Sequence, residues 1–318
     1  MGIEYLVASA VASFVATFLF VPWLIRNLRG TSAVGRDINK AGRPKVPEMG
    51  GLAVIVGSCV GITLLVVFSP SETSRVYYYA ALTASLGAGV VGVMDDAFNL
   101  RKRTKAIGPF LLALPLGFAA LASGNTVLFG VSVGYLIVPV VAAGVTSAAN
   151  AANMLEGLNG LGTGLMVTIS LALIGVSVLA GSREGLFLLF PLLGALIAFL
   201  WYNRYPARVF PGDSMTLFSG ATIASAAIVS SPSLKTLGAV LFLPMVVEFF
   251  LKARGRFRGE NYGIPDQDGK LHYQGRIESL THLIMKKWPM KEWRIVVLLW
   301  GVQALIGVAL LLRVALWP

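Results

Sequence analysis

The stretch VVGVMDDAFNL, residues 90–100, places Asp95 and Asp96 side by side where a long apolar segment ends. Such a segment predicts a helix buried in lipid or protein, and carboxylates at its C-terminal end oppose the helix dipole. Acidic residues at a membrane boundary are candidates for function, because an unneutralised charge there is costly. We therefore expect a cation nearby, and the basic residues between 101 and 105 leave a plain salt-bridge cluster as an alternative.

The composition extends this interpretation to the whole chain. Of the 318 residues, 56% are hydrophobic and only 13% are charged, whereas soluble domains carry about 25% charged residues. Apolar runs of about 20 residues are long enough to cross a bilayer as helices. We predict an all-α polytopic membrane protein, with one integral-membrane domain over residues 1–318. Its ten predicted transmembrane helices are 3–25, 51–69, 76–94, 107–122, 131–149, 161–180, 185–202, 213–230, 235–253 and 293–316.

Basic residues are concentrated in alternate loops of this topology. All but four of the 26 Lys and Arg residues lie on one predicted side, and the exceptions are Arg75, Arg183, Lys235 and Arg313. Cytoplasmic loops of membrane proteins carry such an excess of positive charge. The pattern predicts both termini outside and five cytoplasmic loops, which are 26–50, 95–106, 150–160, 203–212 and 252–292.

The available residue types restrict the kind of site. One Cys excludes a disulfide within the chain, and one Cys with two His disfavours a zinc site. Asp, Asn and Glu oxygens are hard ligands that suit Mg²⁺, with Mn²⁺ as the alternative. Asn150 and Asn153 would share a face if the fifth helix continues that far. Asp213, followed by Ser214, fits an N-cap of the eighth helix.

Acids, amides and basic side chains thus gather on the predicted cytoplasmic surface. The glycine-rich turn 157–164 permits a close backbone approach to a phosphate, although a glycine-rich helix interface is an equal alternative. A divalent cation that bridges phosphates, with Lys or Arg neutralising the remaining charge, would use all of these groups. The set predicts an enzyme that joins a soluble nucleotide to a lipid.

Four stretches of the chain resemble, in order, the signature loops of one known family. They are GRDINKAGRPKVPEMGG (35–51), GVMDDAFNLRKRTKAIGP (92–109), NAANMLEGLNGLGTG (150–164) and NRYPARVFPGDS (203–214). This chain is similar there to the polyprenyl-phosphate N-acetylhexosamine-1-phosphate transferases, and most of all to the dolichol-using branch. The resemblance covers the first nine predicted helices, and it implies ten helices with a cytoplasmic active site.

The resemblance also implies a reaction and its partners. The phosphate of a polyprenyl or dolichyl phosphate would attack the β-phosphorus of a UDP-sugar, with UDP-GlcNAc or a related UDP-HexNAc as donor. UMP would leave, and a lipid diphosphate sugar would begin a lipid-linked glycan, as in N-glycosylation. Membrane lipids are further expected partners, nucleic acid is not, and a homodimer is left open.

Site residues are carried over from the resemblance, position by position. Mg²⁺ would be held by Asn153 and Asp213. The catalytic centre would contain Asp95, Asp96, Asn99 and Lys105, with electrostatic and positioning roles favoured over a general base. Substrate would contact Asp37, Asn39, Lys40, Glu48, Asn150, Gly157, Asn159, Phe210, Arg256 and Arg258. Within that set, Phe210 would stack on uracil, Asn159 would read its edge, and the two arginines would clamp the diphosphate.

Two regions depart from the family pattern. In the loop 254–276, Phe257 stands where the dolichol-using branch has His, which leaves the sugar undetermined. Glu156 replaces a small residue, so that an added charge at the metal site and an ion pair with an arginine are both open. A short hairpin is predicted around DQDGK (266–270), and 277–288 predicts an amphipathic interfacial helix with His282 on its surface.

Other kinds of protein remain as alternatives. A transporter would use intramembrane acids, but the acids here cluster on one face and no inverted repeat is visible. A CDP-alcohol phosphatidyltransferase would space several aspartates along two helices, which this chain does not. A scaffold without catalysis would tolerate loss of the acids, and all of them are present. A HexNAc-1-phosphate transferase for a different sugar is the nearest alternative.

Overall fold

A computed structural model describes the backbone of residues 2–68 and 72–317, which is mainly helical. The predicted end of the second helix at residue 69 and the side chain of Arg75 lie outside the described residues. Twelve α-helices occur in the described chain: α1 Ile3–Leu28, α2 Gly51–Val67, α3 Glu72–Phe98, α4 Lys102–Ala122, α5 Ile137–Met154, α6 Leu161–Leu179, α7 Leu186–Asn203, α8 Gly212–Val229, α9 Pro232–Leu241, α10 Leu243–Arg254, α11 Leu280–Lys287 and α12 Glu292–Leu316.

Several connections between the helices contain short antiparallel strands. Val127–Leu128 (β3) pairs with Val131–Ser132 (β4) between α4 and α5. The loop after α1 contains a hairpin in which Gly35 lies opposite Val46, and the loop after α10 contains a three-stranded sheet in which Leu271 lies opposite Pro265 and Met290. The remaining strands are β1 Val34–Arg36, β2 Lys45–Pro47, β5 Ile264–Pro265, β6 Lys270–His272 and β7 Met290–Lys291.

The prediction of a polytopic membrane protein is confirmed, but fewer than ten of the described helices have the length and hydropathy of a complete membrane span. Seven helices among the described residues are long and apolar enough to cross a membrane, and the pair α9–α10, bent by 52°, would make an eighth. α2 has only 17 residues. α8 is long enough, but Asp213 and its many hydroxyl side chains lower its mean hydropathy. The chain is an all-α polytopic membrane protein, and ten crossings stay a prediction.

The polar helix α8 lies in the centre of the bundle. It packs against α2, α3, α5, α6 and α7, and nearly all of its side chains are buried. Several of its hydroxyl groups donate to carbonyls one turn earlier, as Ser219 does to Met215 (2.8 Å) and Thr222 to Phe218 (2.7 Å). Burial in protein therefore costs these hydroxyls little, whereas Ser225 Oγ is buried without a hydrogen-bond partner among the described residues.

Gly92 lets α3 approach the start of α8 closely. A methyl group at this position would lie 2.5 Å from the carbonyl oxygen of Asp213, which no side chain could tolerate. The helix also continues to Phe98, four residues beyond its predicted end, so Asp95 and Asp96 lie in its last turn. Together these features place the two aspartates beside the first turn of α8.

Candidate active site

Connections that are distant in sequence meet at one end of the bundle. Phe210 donates its backbone N–H to Pro47 (2.8 Å) and accepts from the N–H of Gly50 (2.9 Å). The side chain of Asn261 donates to the carbonyl of Met154 (2.8 Å) at the end of α5. These contacts join the loops that follow α1, α5, α7 and α10 around a cavity of about 350 Å³. Most of the side chains predicted to bind substrate line this cavity.

Asp96 caps α8 from a different helix. Its Oδ1 accepts the backbone N–H of Asp213 (2.6 Å), and its Oδ2 accepts that of Ser214 (3.1 Å). The predicted N-cap role of Asp213 is wrong, because α8 begins at Gly212 and its own residues supply no side-chain cap. Gly212 has a left-handed φ of 68°, and a side chain there would collide with the Asp96 carboxylate. One aspartate of the pair therefore faces the positive end of a second helix dipole.

Lys105 neutralises the other aspartate and Asp213 together. Its ammonium lies 2.8 Å from Asp95 Oδ2 and also forms an ion pair with Asp213 Oδ2. Asp95 Oδ1 additionally accepts the N–H of Leu100 (2.8 Å), one of the groups that follow α3. The unfavourable position of Asp95 at a helix C-terminus is thus offset by a cation and a backbone donor. The predicted salt-bridge cluster exists, and it lies at the cavity.

Two asparagines of α5 complete this centre, and the helix continues far enough to carry both on one face. Asn153 donates to Asp213 Oδ2 (3.1 Å), and its carbonyl oxygen accepts from Thr216 (3.2 Å). Asn150 donates to the carbonyl of Thr146 (2.9 Å) and more weakly to that of Lys105 (3.4 Å). The amides therefore hold the first turn of α8 and the start of α4 in one arrangement.

A second polar cluster forms the opposite wall of the cavity. Asn39 donates to the carbonyl of Gly157 (2.8 Å) and accepts the N–H of Gly263 (3.0 Å). Asp37 accepts the side-chain amide of Asn159 (2.9 Å) and lies 3.2 Å from the ammonium of Lys40. Because these residues come from three separate loops, their hydrogen bonds set the spacing between the loops.

Phe210 and Glu48 also line the cavity. Phe210 is half-buried, and its backbone is held on both sides by the hydrogen bonds to Pro47 and Gly50. Burial, together with the nearby Asp96, raises the pKa of the Glu48 carboxyl. The ring of Phe210 thus offers a flat surface on which a nucleobase can stack, next to the carboxylates that line the cavity.

Three predicted site residues do not join these contacts. Arg256 and Arg258 are exposed and lie outside the set of cavity-lining residues, and Arg256 has a left-handed φ of 55°. Asn99 is exposed and ends α3 with a φ of 50°, while its N–H donates to the carbonyl of Asp95 (2.7 Å). Its observed role is therefore to terminate the helix.

Several cavity residues were missed from the sequence. Lys252, near the end of α10, lines the cavity, although only the arginines that follow it were singled out. Buried Asn203 accepts from Thr163 (2.7 Å) and donates to the carbonyl of Val209 (3.0 Å), which shapes the loop before α8. Asn203 could have been identified from the sequence by its position at the start of the stretch 203–214, one of the four that resemble the family. Further missed residues are Arg36, Glu260, Asn261, Tyr262 and, behind the cavity wall, Glu292.

The prediction that His282 lies on the surface is wrong. Its side chain is 1% exposed, and its ring stacks on Tyr273 with a centroid distance of 3.7 Å. The Nδ1 atom accepts the N–H of Glu278 (3.4 Å), and burial lowers the pKa of the imidazole. α11 is amphipathic as expected, but its polar histidine packs inward against the sheet.

Glu156 is a half-buried cavity-lining residue without an ion pair among the described residues. Its Oε2 atom is inaccessible to solvent and lies close to Gly162. Burial raises the pKa of Glu156 to about 7, although the N–H groups of Gly157 and Gly162 partly offset this. Of the two alternatives from the sequence, the ion pair with an arginine is absent from the described structure.

We expect Glu156 to make the protein less stable as the pH rises. Its pKa lies above the ordinary value of 4.5, so its stabilising effect is complete below that value and disappears as the pH passes 7. The full change is about 3 kcal/mol. Thermal unfolding in detergent at about pH 5 and about pH 8 should show a smaller change for Glu156→Gln than for the wild type. Equal changes in both would contradict this, and Glu184→Gln, on an exposed loop, is the matched control.

The oxygen ligands that this centre offers suit a metal ion that needs few ligands from the protein. Asp213 and Asn153 offer hard oxygens at the cavity, and the described residues contain no group of three or more His, Cys, Asp or Glu placed as a complete metal cage. Mg²⁺ is commonly held by one or two carboxylates and completes its shell with water and phosphate oxygens. The residues therefore fit Mg²⁺ bound together with a phosphate substrate, and they do not fit zinc.

Known proteins are similar in sequence to this chain over most of its length. Residues 77–231 match the model of glycosyl transferase family 4. A putative UDP-N-acetylglucosamine–dolichyl-phosphate N-acetylglucosaminephosphotransferase of Saccharolobus solfataricus is 34% identical over 307 residues, covering 93% of this chain and 92% of that protein. The protein of the same name from Sulfolobus acidocaldarius is 35% identical over 314 residues, covering 94% and 93%.

A slime mould also contains a similar protein. The UDP-N-acetylglucosamine–dolichyl-phosphate N-acetylglucosaminephosphotransferase of Dictyostelium discoideum is 31% identical over 281 residues, covering 73% of this chain and 68% of that protein. Similarity at this level along most of both chains is a property of one family. The chain therefore belongs to glycosyl transferase family 4, in the superfamily of polyprenyl-phosphate N-acetylhexosamine-1-phosphate transferases.

Proposed function

We propose that this protein transfers GlcNAc-1-phosphate from UDP-GlcNAc to a dolichyl or other polyprenyl phosphate and releases UMP. The observation that carries the proposal is the convergence of Asp95, Asp96, Lys105, Asn153 and Asp213 beside a polar cavity. The names of its relatives describe this activity for those proteins. A transporter is not favoured, because the acids gather at one end of the bundle.

The proposed orientation has ten crossings, with both termini outside and the active site on the cytoplasmic face. Contacts between connections support this alternation. The loops after α1, α5, α7 and α10 meet at the catalytic end, whereas Ser182 contacts the N–H of Ser231 (3.1 Å) and Lys235 contacts the carbonyl of Asn125 (2.8 Å) at the other. The basic residues are concentrated at the first of these ends, as expected for the cytoplasmic side.

We propose Mg²⁺ as the cofactor, with Mn²⁺ as a substitute. Asp213 and Asn153 would hold it. When bound, it would neutralise the diphosphate of the donor substrate. Lys105 is suited to hold phosphate charge in the same centre, because its ammonium already faces two carboxylates at the cavity edge. Asp95 positions that ammonium, and Asp96 positions the first turn of α8.

The chemistry requires little proton transfer from the protein. An oxygen of the lipid phosphate forms a bond to the β-phosphorus of UDP-GlcNAc, and the bond from that phosphorus to the bridging oxygen breaks. UMP leaves with the electron pair. The attacking phosphate monoester has a second pKa of about 6 and is largely a dianion at neutral pH. The side chains of the centre therefore act by positioning the substrates, and Lys105 neutralises phosphate charge.

A second cavity is suited to the isoprenoid chain of the lipid phosphate that accepts the sugar phosphate. It measures about 300 Å³, is almost entirely apolar, and lies between α5, α8 and the bent pair α9–α10. Its lining runs along α5 as far as Ala151, the residue after Asn150, and reaches Lys235 at the other end. An isoprenoid placed there would direct its phosphate towards the catalytic centre.

Turnover by the purified protein tests the proposed function. The protein in detergent is mixed with Mg²⁺, UDP-GlcNAc and a polyprenyl phosphate, and UMP release is followed together with formation of the lipid product. Parallel reactions with UDP-GalNAc and other UDP-HexNAc donors identify the sugar. Absence of UMP with every donor and lipid would refute the enzyme assignment, and omission of the lipid is the control for hydrolysis.

Replacing Phe210 with alanine should raise the KM for UDP-GlcNAc. Stacking of a base on an aromatic ring contributes about 1–3 kcal/mol, which corresponds to roughly a 5- to 150-fold increase. kcat should change less, because Phe210 has no hydrogen bond to Lys105, Asp95 or Asp213 among the described residues. Phe118→Ala, at an exposed position on α4 outside the cavity, is the matched control. An unchanged KM would show that Phe210 only packs.

A further inference from the structure

Four side chains from three segments form a closed ring beside the cavity. Glu292, at the start of α12, accepts the backbone N–H of Asn159 through Oε1 (2.6 Å) and pairs with Lys40 through Oε2. Lys40 also pairs with Asp37 (3.2 Å), and Asp37 accepts the side-chain amide of Asn159 (2.9 Å), which closes the ring. Asp37, Asn159 and Glu292 are each at most 5% exposed. Two carboxylates and one ammonium give the ring a net negative charge.

The ring determines which atom Asn159 presents to the cavity. An ionised carboxylate only accepts hydrogen bonds, so the NH₂ group of Asn159 must face Asp37. The carbonyl oxygen Oδ1 then points elsewhere, and none of the described residues donates to it. Asn159 lines the cavity with Phe210. The cavity wall is therefore an acceptor at this point, in a negatively charged surrounding.

We propose that Asp37 and Glu292 are positioning residues that make this pocket select uracil over cytosine. The proposal rests on the proposed function, since it requires a nucleotide base in the cavity. Uracil has an N–H donor at N3, which pairs with an acceptor. Cytosine has a lone pair at the same position, which an acceptor and a net negative charge repel. A freely turning amide would present either group and would discriminate poorly.

Glu292 has a specific part in this arrangement. Lys40 and the Asn159 amide both contact the same atom, Asp37 Oδ2. By pairing with Lys40, Glu292 draws the ammonium towards itself and leaves that oxygen available to Asn159. Its other oxygen holds the Asn159 backbone in place. Loss of the Glu292 charge would let Lys40 compete for Asp37 Oδ2 and loosen the amide.

Nucleotide selectivity tests the proposal without requiring turnover. The dissociation constants of UMP and CMP are measured by calorimetry for the full-length protein in detergent. The selectivity ratio is the dissociation constant of CMP divided by that of UMP. We expect a ratio of at least about ten for the wild type, which corresponds to the free energy of about one buried hydrogen bond. In Asp37→Asn the new amide can donate or accept, so the Asn159 amide can turn, and the ratio should fall about tenfold. Glu292→Gln should lower the ratio in the same direction by a smaller factor.

The ratio separates a selective role from a structural one. Asp268→Asn, exposed and without a polar contact to the ring among the described residues, and Glu184→Gln, exposed at the opposite end of the bundle, should keep the wild-type ratio, and thermal unfolding verifies that each variant is folded. Equal weakening of UMP and CMP in the variants, or equal binding of both by the wild type, would overturn the proposal. If the wild type releases UMP from UDP-GlcNAc but its ratio does not respond to either substitution, the proposed function stands and this inference fails. A wild type that binds neither nucleotide and releases no UMP from UDP-GlcNAc would refute both.

Discussion

Asp213→Ala should lower the rate of UMP release by about a thousandfold or more. The carboxylate is at once an ion-pair partner of Lys105, the acceptor for Asn153 and the proposed ligand for Mg²⁺. Removing one preorganised electrostatic group from an active site commonly costs about 10²–10³ in kcat, and here three contacts are lost together. Binding of UDP-GlcNAc in the presence of Mg²⁺ should weaken as well, which calorimetry would measure.

Two further variants sharpen this prediction. Asp213→Asn keeps the shape of the side chain but removes its charge, and it should be nearly as inactive if charge is what matters. Asp268→Ala, on the exposed hairpin between β5 and β6, removes an aspartate without touching the cavity and should leave turnover unchanged. Near-normal turnover of Asp213→Ala would exclude Asp213 from the metal site.

Lys105→Met should reduce turnover by about two to three orders of magnitude. The substitution keeps the apolar stem but removes the cation that neutralises Asp95 and Asp213, so two partly buried carboxylates would repel each other and any phosphate. Lys105→Arg should restore only part of the activity, because a planar guanidinium does not occupy the position of a compact ammonium. Initial rates of UMP release over a range of UDP-GlcNAc concentrations measure both effects.

Lys102→Met is the matched control for the lysine. It lies one turn earlier on α4, is exposed, and has no ion pair among the described residues. It should change turnover by less than about twofold, since surface charges of this kind contribute little. Equal loss in the two variants would mean that the basic segment acts through its total charge and that Lys105 has no special position.

The structure gives the two adjacent aspartates different tasks. Asp95 orients the ammonium of Lys105, whereas Asp96 binds two backbone N–H groups at the start of α8. Neither is placed as an isolated general base, because each carboxylate already has partners. A nucleophile that is ionised at neutral pH is consistent with this division.

Much of the architecture follows from local sequence. The hydrophobic runs and the small share of charged residues required a bundle of membrane helices, because these are properties of contiguous segments. The family was also readable from four short stretches, which contain most of the cavity residues. The weakest part was the segment from the end of α10 into the loop that follows, where Arg256 and Arg258 were predicted to line the site and Lys252, in the last turn of α10, was found to do so. A charged residue in a loop has no periodic pattern that shows its direction.

By itself, the sequence determined that this protein spans the membrane by helices, that it belongs to a family of lipid-linked sugar transferases, and that acids and amides share one end of the bundle. Only the tertiary structure decided which groups meet. Asp96 caps a helix 117 residues further along the chain, and Glu292 binds the backbone of Asn159 across 133 residues. The physical reason is that hydropathy and helix formation depend on neighbours in the chain, whereas the partner of a buried charge depends on how the helices pack.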